Sequence, residues 1–435
     1  MRARLGSRLG FLMVAAGCAV GLGNVWRFPF VAGQNGGAAF VLVYLAFLLL
    51  LGFPLLLAEL AVGRGSHRGI ASALRALARP AHASAWGWTG RIVFAGNFLL
   101  MIYYTDVAGW LVRYMAGYAA GGDAGGDHAA AFGALVADHA TCAAFMCGCV
   151  AFAAAVCALG VVKGVERTTK VMMVSLLVLL VVLALKALTL PGAGKGVAFY
   201  LAPDWAKFME HPGKAVLDAM GQAFFTLSVG VGAMTIFGSY VGRDRSLVTE
   251  TAWIIAIDTF VALLSGLIIF PACAAYDVDV TAGPGLIFIA LPKVFAAMPG
   301  GRAWGMLFFL FLSFAALTTI VAVFECIIGG LMDEFGWGRL KATATTGCAV
   351  AACSMPCVLF EKVLGLEDFV LSQLWLPIGG LALCIFVTRR WGWGYEAFRV
   401  EAEAGTGLEL PAWCAAYMRW ILPLVLIAVL VFGIV

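Results

Sequence analysis

Ala315, Thr318 and Thr319 stand within about one turn of one another in FAALTTIVAV, inside an apolar stretch. One carbonyl and two hydroxyls at that spacing form half of an all-oxygen cage suited to a hard monovalent cation. The competing reading is that the hydroxyls bond carbonyls of their own helix one turn back. Asn24, Arg27, Glu59, Asp258 and Glu325 share this apolar setting, where an ionisable side chain is costly and marks a ligand path, a proton relay or an ion pair. Arg27 needs a partner, and Asp368 in LEDFVLSQ can supply it. Glu59 is placed to serve backbone groups of a neighbouring irregular segment, while Asp106 reads as facing water at one end of its helix. Thr226 and Ser228 precede a glycine-rich segment with Phe225 beside them, and Tyr103–Tyr104 can turn one phenol inward unless these aromatics only fill the core.

Composition says what scaffold must hold these groups. Of 435 residues, 63% are hydrophobic and 12% charged, with a mean hydropathy of +0.99; a soluble chain carries roughly twice that charge. Apolar runs of about 20 residues, each long enough to cross a bilayer as a helix, recur throughout. They read as eleven spans near residues 10–33, 38–62, 88–118, 142–161, 168–190, 215–241, 249–275, 302–332, 341–360, 369–388 and 414–434. No polar linker separates soluble units, so residues 1–435 read as a single transmembrane domain. With the N-terminus inside, Arg2, Arg4, Arg64, Arg68, Arg243, Arg245, Arg389 and Arg390 fall on the cytoplasmic side and the C-terminus outside. That asymmetry accounts for the net charge of +4 as membrane topology and gives no reason to expect nucleic acid as a partner.

Two spans carry matched interruptions. Span one contains VGLGN (residues 20–24) and span six contains VGVGA (residues 229–233), at equivalent positions of two five-span halves. Glycine weakens a helix by about 1 kcal/mol relative to alanine, and Pro29 removes another backbone donor. Gly17 and Gly21 alone could simply let helices pack closely; as a matched pair the interruptions point to broken helices around a transporter site. Non-helical backbone is tolerated at membrane depth only where protein or a cavity surrounds it. The segment between spans seven and eight, with Pro284 and Pro292, reads as an external lid, and EAEAGTGLEL near residue 401 as a connector without chemistry.

Other classes fit less well. The twelve cysteines lie mostly at membrane depth with no C-x-x-C pair, and the five histidines are scattered in loops, so neither a metal cluster nor a nucleophile–base set for an enzyme is expected. A channel would need a continuous polar lining, which is absent from the sequence. Span one has no A-x-A site after it and is too polar for a signal peptide. A sensor that binds its ligand without moving it remains the rival reading.

RLGFLMVAAGCAVGLGNVWRFPF followed by NGGAAFVLVYLAFLLLLGFPLLLAELAVGR resembles the first two spans of the neurotransmitter:sodium symporters, most closely the bacterial branch with eleven spans. QAFFTLSVGVGAMTIFGSYV is similar to the family's broken sixth span, LLSGLIIFPACAAYD to the seventh, FAALTT to the eighth and GPGLIFIALPKVF to the lid. The resemblance implies an all-α, polytopic leucine-transporter fold: inverted repeats over approximately 8–190 and 213–390, helices one and six broken, and an extra helix over approximately 411–435. It implies Na⁺-driven amino-acid import by alternating access, with two sodium sites. The first would use Ala19, Asn24, Thr226 and Asp258, and the second Gly17, Val20, Ala315, Thr318 and Thr319. Substrate would touch Ala19, Leu22, Gly23, Leu100, Tyr104, Phe225, Thr226, Ser228, Val231, Thr319 and Val323. Arg27 with Asp368 would form the outer gate, roofed by Phe225 over Tyr104; Arg2 with Asp333, helped by Ser239 and Tyr240, would form the inner one. Gly21 stands where amine-carrying relatives place an aspartate, which favours a substrate bringing its own carboxylate. Asp258 replaces the usual asparagine, implying that chloride is not required. Apolar walls and the small Val231 favour a neutral hydrophobic or aromatic amino acid. The short termini favour a prokaryotic cytoplasmic membrane.

Overall fold

The computed structural model describes residues 5–121, 126–278 and 285–434. Among them, nine helices are long and apolar enough to cross a membrane: Ala38–Ser66, Pro80–Ala120, His139–Ala158, Val161–Leu188, Leu247–Ala275, Gly301–Phe335, Arg339–Leu359, Lys362–Thr388 and Cys414–Gly433. A tenth crossing is the bent pair Arg8–Ala19 and Gly23–Gln34, turned by 57° at its break. The eleventh, span six, is divided into Pro212–Thr226 and Ala233–Gly238, each half too short to cross alone. In chain order these are the eleven spans that the hydropathy pattern suggests. Short helices Ile70–Leu77, His128–Ala137, Ala193–Leu201 and Tyr395–Glu403 lie between them. The lid is described from residue 285 as the helical segment Leu286–Ala297; Pro284 lies outside the described residues.

Proline shapes many of these helices in one repeated way. Wide i→i+5 turns at Gly23–Arg27, Leu48–Gly52, Leu286–Ala290, Val370–Trp375 and Tyr417–Ile421 each end two residues before a proline: Pro29, Pro54, Pro292, Pro377 and Pro423. A proline ring collides with the carbonyl four residues earlier and brings no N–H. Widening the preceding turn moves that carbonyl aside without ending the helix.

Spans three, four, eight and nine pack against one another, and span one is held between spans five, seven and eight. Span five shows which way the bundle faces: Val171, Val174, Val178, Val181, Val182 and Leu185 form an exposed apolar stripe, suited to lipid tails. The polar groups Asn24, Glu59, Thr226, Asp258, Thr318 and Glu325 are instead fully buried. Arg64 is also fully buried. Its Nε donates to Glu401 Oε1 at 2.8 Å and its Nη1 to the Arg245 carbonyl at 2.8 Å, while Arg243 Nη2 reaches Glu401 Oε2 at 2.5 Å. The connector around residue 401 is therefore a buried ionic anchor, contrary to its reading as an inert link. The buried charges are matched because helix Tyr395–Glu403 docks against span two.

Candidate functional site

Both helix breaks meet at the centre of the molecule. In span one the backbone leaves the helix at Val20 (ψ 106°) and re-enters at Gly23. The Leu22 N–H donates to the Tyr104 hydroxyl at 3.2 Å, and the Gly21 N–H to Asn24 Oδ1 at 3.1 Å. In span six, Ser228, Gly230 and Gly232 have positive φ values of 51°, 101° and 72°. A Cβ on Gly230 would lie 2.2 Å from the Leu376 carbonyl oxygen, so both the conformation and the space demand glycine there. Glu59 serves the irregular backbone, as expected. Its Oε1 accepts from the Gly230 and Gly232 N–H groups at 2.7 and 3.2 Å, and its Oε2 from Met234 at 3.0 Å.

Two oxygen-rich clusters flank the breaks. In the first, Asn24 Nδ2 donates to Thr226 Oγ1 at 2.9 Å and to Asp258 Oδ1 at 2.8 Å, while Thr226 Oγ1 donates to Asp258 Oδ2 at 2.9 Å. In the second, Thr319 Oγ1 lies 3.3 Å from the Gly17 carbonyl oxygen, 3.2 Å from that of Val20 and 3.2 Å from that of Ala315. Thr318 Oγ1 is 3.0 Å from the Ala315 oxygen and 2.9 Å from that of Phe314. A hydroxyl has one proton to give, so three carbonyls crowded on Thr319 leave a surplus of acceptors. Such a surplus fits a hard cation and is poorly explained by helix back-bonding alone.

Between the clusters lies a pocket lined by Ala19, Gly21, Leu22, Gly23, Leu100, Tyr104, Phe225, Ser228, Val231, Thr319, Leu371 and Leu376. No acidic or basic side chain is among them. A vestibule of about 320 Å³ adjoins it, with Arg27, Phe30, Tyr103 and Asp368 on its walls, and Leu22, Tyr104 and Phe225 face both spaces.

The sequence profile of the sodium:neurotransmitter symporter family matches residues 2–119 and 131–435. The chain belongs to that family. It is a multi-pass, sodium-dependent secondary transporter, not an enzyme. It is 35% identical to the uncharacterized sodium-dependent transporter YhdH of Bacillus subtilis over 88% of this chain and 86% of that one. It is 27% identical to the sodium-dependent serotonin transporter of Drosophila melanogaster over 99% of this chain and 76% of the other. Its fold superposes on the crystal structure of MhsT in complex with L-phenylalanine with a TM-score of 0.88, at 34% identity and covering all of both chains.

For this symporter, the structure gathers most of the residues singled out from sequence. Asn24, Thr226 and Asp258 form one cluster; Gly17, Val20, Ala315, Thr318 and Thr319 form the other. Thr226 faces its cluster and does not line the pocket, and Val323 is buried elsewhere in span eight. Gly21, Leu371 and Leu376 line the pocket without having been anticipated as contacts. The signal for the two leucines was Pro377: the wide turn Val370–Trp375 before it carries Leu371 and ends against Leu376.

The gates differ from their sequence-based description. Arg27 and Asp368 make no ion pair: the guanidinium lies 4.8 Å from the Phe225 ring centroid, and Asp368 Oδ1 accepts from Ser372 Oγ at 3.2 Å. Both line the vestibule, whose width keeps them apart. At the opposite end, Arg2 lies outside the described residues, and Asp333 Oδ2 accepts the Gly69 N–H at 2.7 Å. The Tyr240 hydroxyl donates to Glu325 Oε1 at 2.6 Å, and Arg339 donates to both oxygens of Glu325 at 2.7 and 2.9 Å. Ser239 bonds its own helix at Ile236. Glu325 is thereby paired, as a carboxylate at membrane depth must be.

Proposed function

We propose that this symporter uses the Na⁺ gradient to import a neutral hydrophobic or aromatic amino acid, without a chloride requirement, across a prokaryotic cytoplasmic membrane. The N-terminus lies inside and the C-terminus outside, and residues 8–190 and 213–390 act as inverted repeats with 411–435 as an extra helix. The observation that carries this reading is the surplus of oxygen acceptors around Thr319 beside a pocket whose lining has no charged side chain. A bound cation supplies the missing positive charge, and a substrate carrying its own carboxylate then completes the balance. Two sodium ions are assigned, one to each oxygen cluster. At the first, loading turns the Asn24 amide over, so that its oxygen joins Thr226, Asp258 and the Ala19 carbonyl.

Asp258 supports chloride independence: it supplies, beside that cation, the fixed negative charge that a bound anion would otherwise provide. The apolar lining from Leu22, Leu100, Phe225, Val231, Leu371 and Leu376 supports an apolar side chain, as does the L-phenylalanine bound by MhsT. The vestibule is the external approach. Substrate entry lets Phe225 close over Tyr104 and brings Arg27 toward Asp368, before release of Asp333, Tyr240 and the N-terminal segment opens the inner path.

Uptake of radiolabelled amino acids into proteoliposomes under inward Na⁺ or K⁺ gradients, with and without chloride, tests the proposal. Accumulation of phenylalanine or leucine driven by Na⁺ and indifferent to chloride is expected. Na⁺-independent uptake, or saturable binding with no accumulation, would overturn it.

A further inference from the structure

Asp106 departs from its sequence reading as a water-facing end group. It is fully buried in span three, and neither carboxylate oxygen has a hydrogen-bond partner among the described residues. Trp110, one turn later on the same helix, is also buried and its Nε1–H is likewise unpartnered. Both open on a cavity of about 480 Å³ between span three, the helix His128–Ala137, the start of span four and the end of span nine. This chamber shares only Leu364 with the vestibule and no residue with the central pocket.

A buried carboxylate without a partner costs several kcal/mol, so the group is either protonated or matched by a cation in the chamber. No lysine or arginine forms an ion pair with Asp106 among the described residues. The rest of the chamber says what kind of cation fits. Trp110 and Phe132 meet edge to face at 5.6 Å between centroids, and Val136, Val358 and Leu364 supply apolar wall. His139 Nδ1 is engaged with the Val358 carbonyl oxygen at 2.8 Å, and no group of three metal-ligating side chains is found among the described residues. A divalent metal ion wants six or more oxygens, and Asp106 is the only carboxylate among the residues that line the chamber. A carboxylate beside aromatic faces is instead the chemistry that binds an organic ammonium.

We propose that this side chamber is a second ligand site, for a small organic monoamine. Its ammonium pairs with Asp106, and its body packs on Trp110 and Phe132. Leu364 belongs to the helix that carries Asp368, so an occupant presses on one wall of the vestibule and alters its closure. The effect on uptake rests on the transport function proposed above; binding does not.

The probe is tritiated phenethylamine, and the protein is the full chain in lipid nanodiscs with Na⁺ and a saturating concentration of the transported amino acid. Saturable binding that survives the amino acid is expected, with affinity at least tenfold weaker in Asp106→Asn. Gly133→Phe tests the same point from the facing wall: Gly133 lines the chamber and a Cβ there meets nothing within 4 Å, so a ring can be added there without a clash at its Cβ, and binding should be weakened. In proteoliposomes phenethylamine should change the uptake rate of the wild type and leave Asp106→Asn unaffected. Absence of saturable binding, displacement by the amino acid, or unchanged affinity in both variants overturns the proposal. So does a loss of ²²Na⁺ binding in Asp106→Asn with no phenethylamine site, which would assign the chamber to an inorganic cation. Failure of amino-acid uptake with the Asp106-dependent binding intact would refute the transport function and leave this site standing.

Discussion

The two helix breaks solve the same problem by opposite means. In span six the irregular backbone is fixed from outside: Glu59 accepts from three of its N–H groups, and Asn97 Nδ2 donates to the Val231 carbonyl at 2.8 Å. Three residues there have positive φ. In span one every residue of the break keeps negative φ, and the freed carbonyls of Gly17 and Val20 share one threonine hydroxyl. Span six is thus held by protein whatever the site contains, while span one keeps acceptors that only a ligand can satisfy fully. Ion binding should act mainly through span one, and mutations should separate the two breaks into one of stability and one of affinity.

Glu59→Gln gives the sharpest contrast. The amide would set an NH₂ against backbone donors, costing on the order of 3 kcal/mol. Thermal stability of the purified protein should fall whether or not Na⁺ is present, and uptake should vanish; unchanged stability would remove the fixed-scaffold view of span six. Thr319→Val should do the converse. Stability without Na⁺ should hold within about 1 kcal/mol, while the Na⁺ concentration for half-maximal uptake should rise at least tenfold, or about 1.4 kcal/mol.

Asp258 joins the breaks, because it meets Asn24 from one and Thr226 from the other. Asp258→Asn should cut uptake roughly tenfold and make the remainder respond to chloride, which paired assays with chloride and gluconate would detect. A milder pair compares glycines. Gly230→Ala places a Cβ 2.2 Å from a carbonyl oxygen at φ +101° and should cost about 1–3 kcal/mol of stability. Gly21→Ala meets the Tyr104 hydroxyl at 2.6 Å and Thr319 Oγ1 at 3.0 Å, so it should weaken substrate and ion affinity with little loss of stability. The smallest effect belongs to Val231→Ile, which should shift competition between phenylalanine and valine toward valine by about 1 kcal/mol.

The eleven spans, both breaks and the Ala315, Thr318 and Thr319 oxygens were legible in the sequence because each rests on local chemistry, whereas the remaining members of the two oxygen clusters were implied by the resemblance to the symporter family. Apolar runs of bilayer length fold as helices, and paired glycines weaken a helix wherever they stand. A buried carboxylate such as Glu59 must find donors, and the nearby broken backbone offered them. Proline placement also marks local geometry, since five wide turns each end two residues before one. What sequence left open was every relation between distant segments. Glu401 looks like an ordinary connector residue until its helix docks and encloses Arg64. Glu325 gains its partner only because span nine begins with Arg339 beside span eight.

Sequence by itself therefore determined the class of the molecule and where its helices break, because helix stability and burial cost are set by residue type and near neighbours. Only the tertiary structure decided that Arg27 and Asp368 stand apart across a vestibule, that Leu371 and Leu376 complete the pocket, and that Asp106 is buried on the wall of a side chamber. Those outcomes depend on how far apart packed helices come to rest, and that distance is a sum of contacts over the whole bundle.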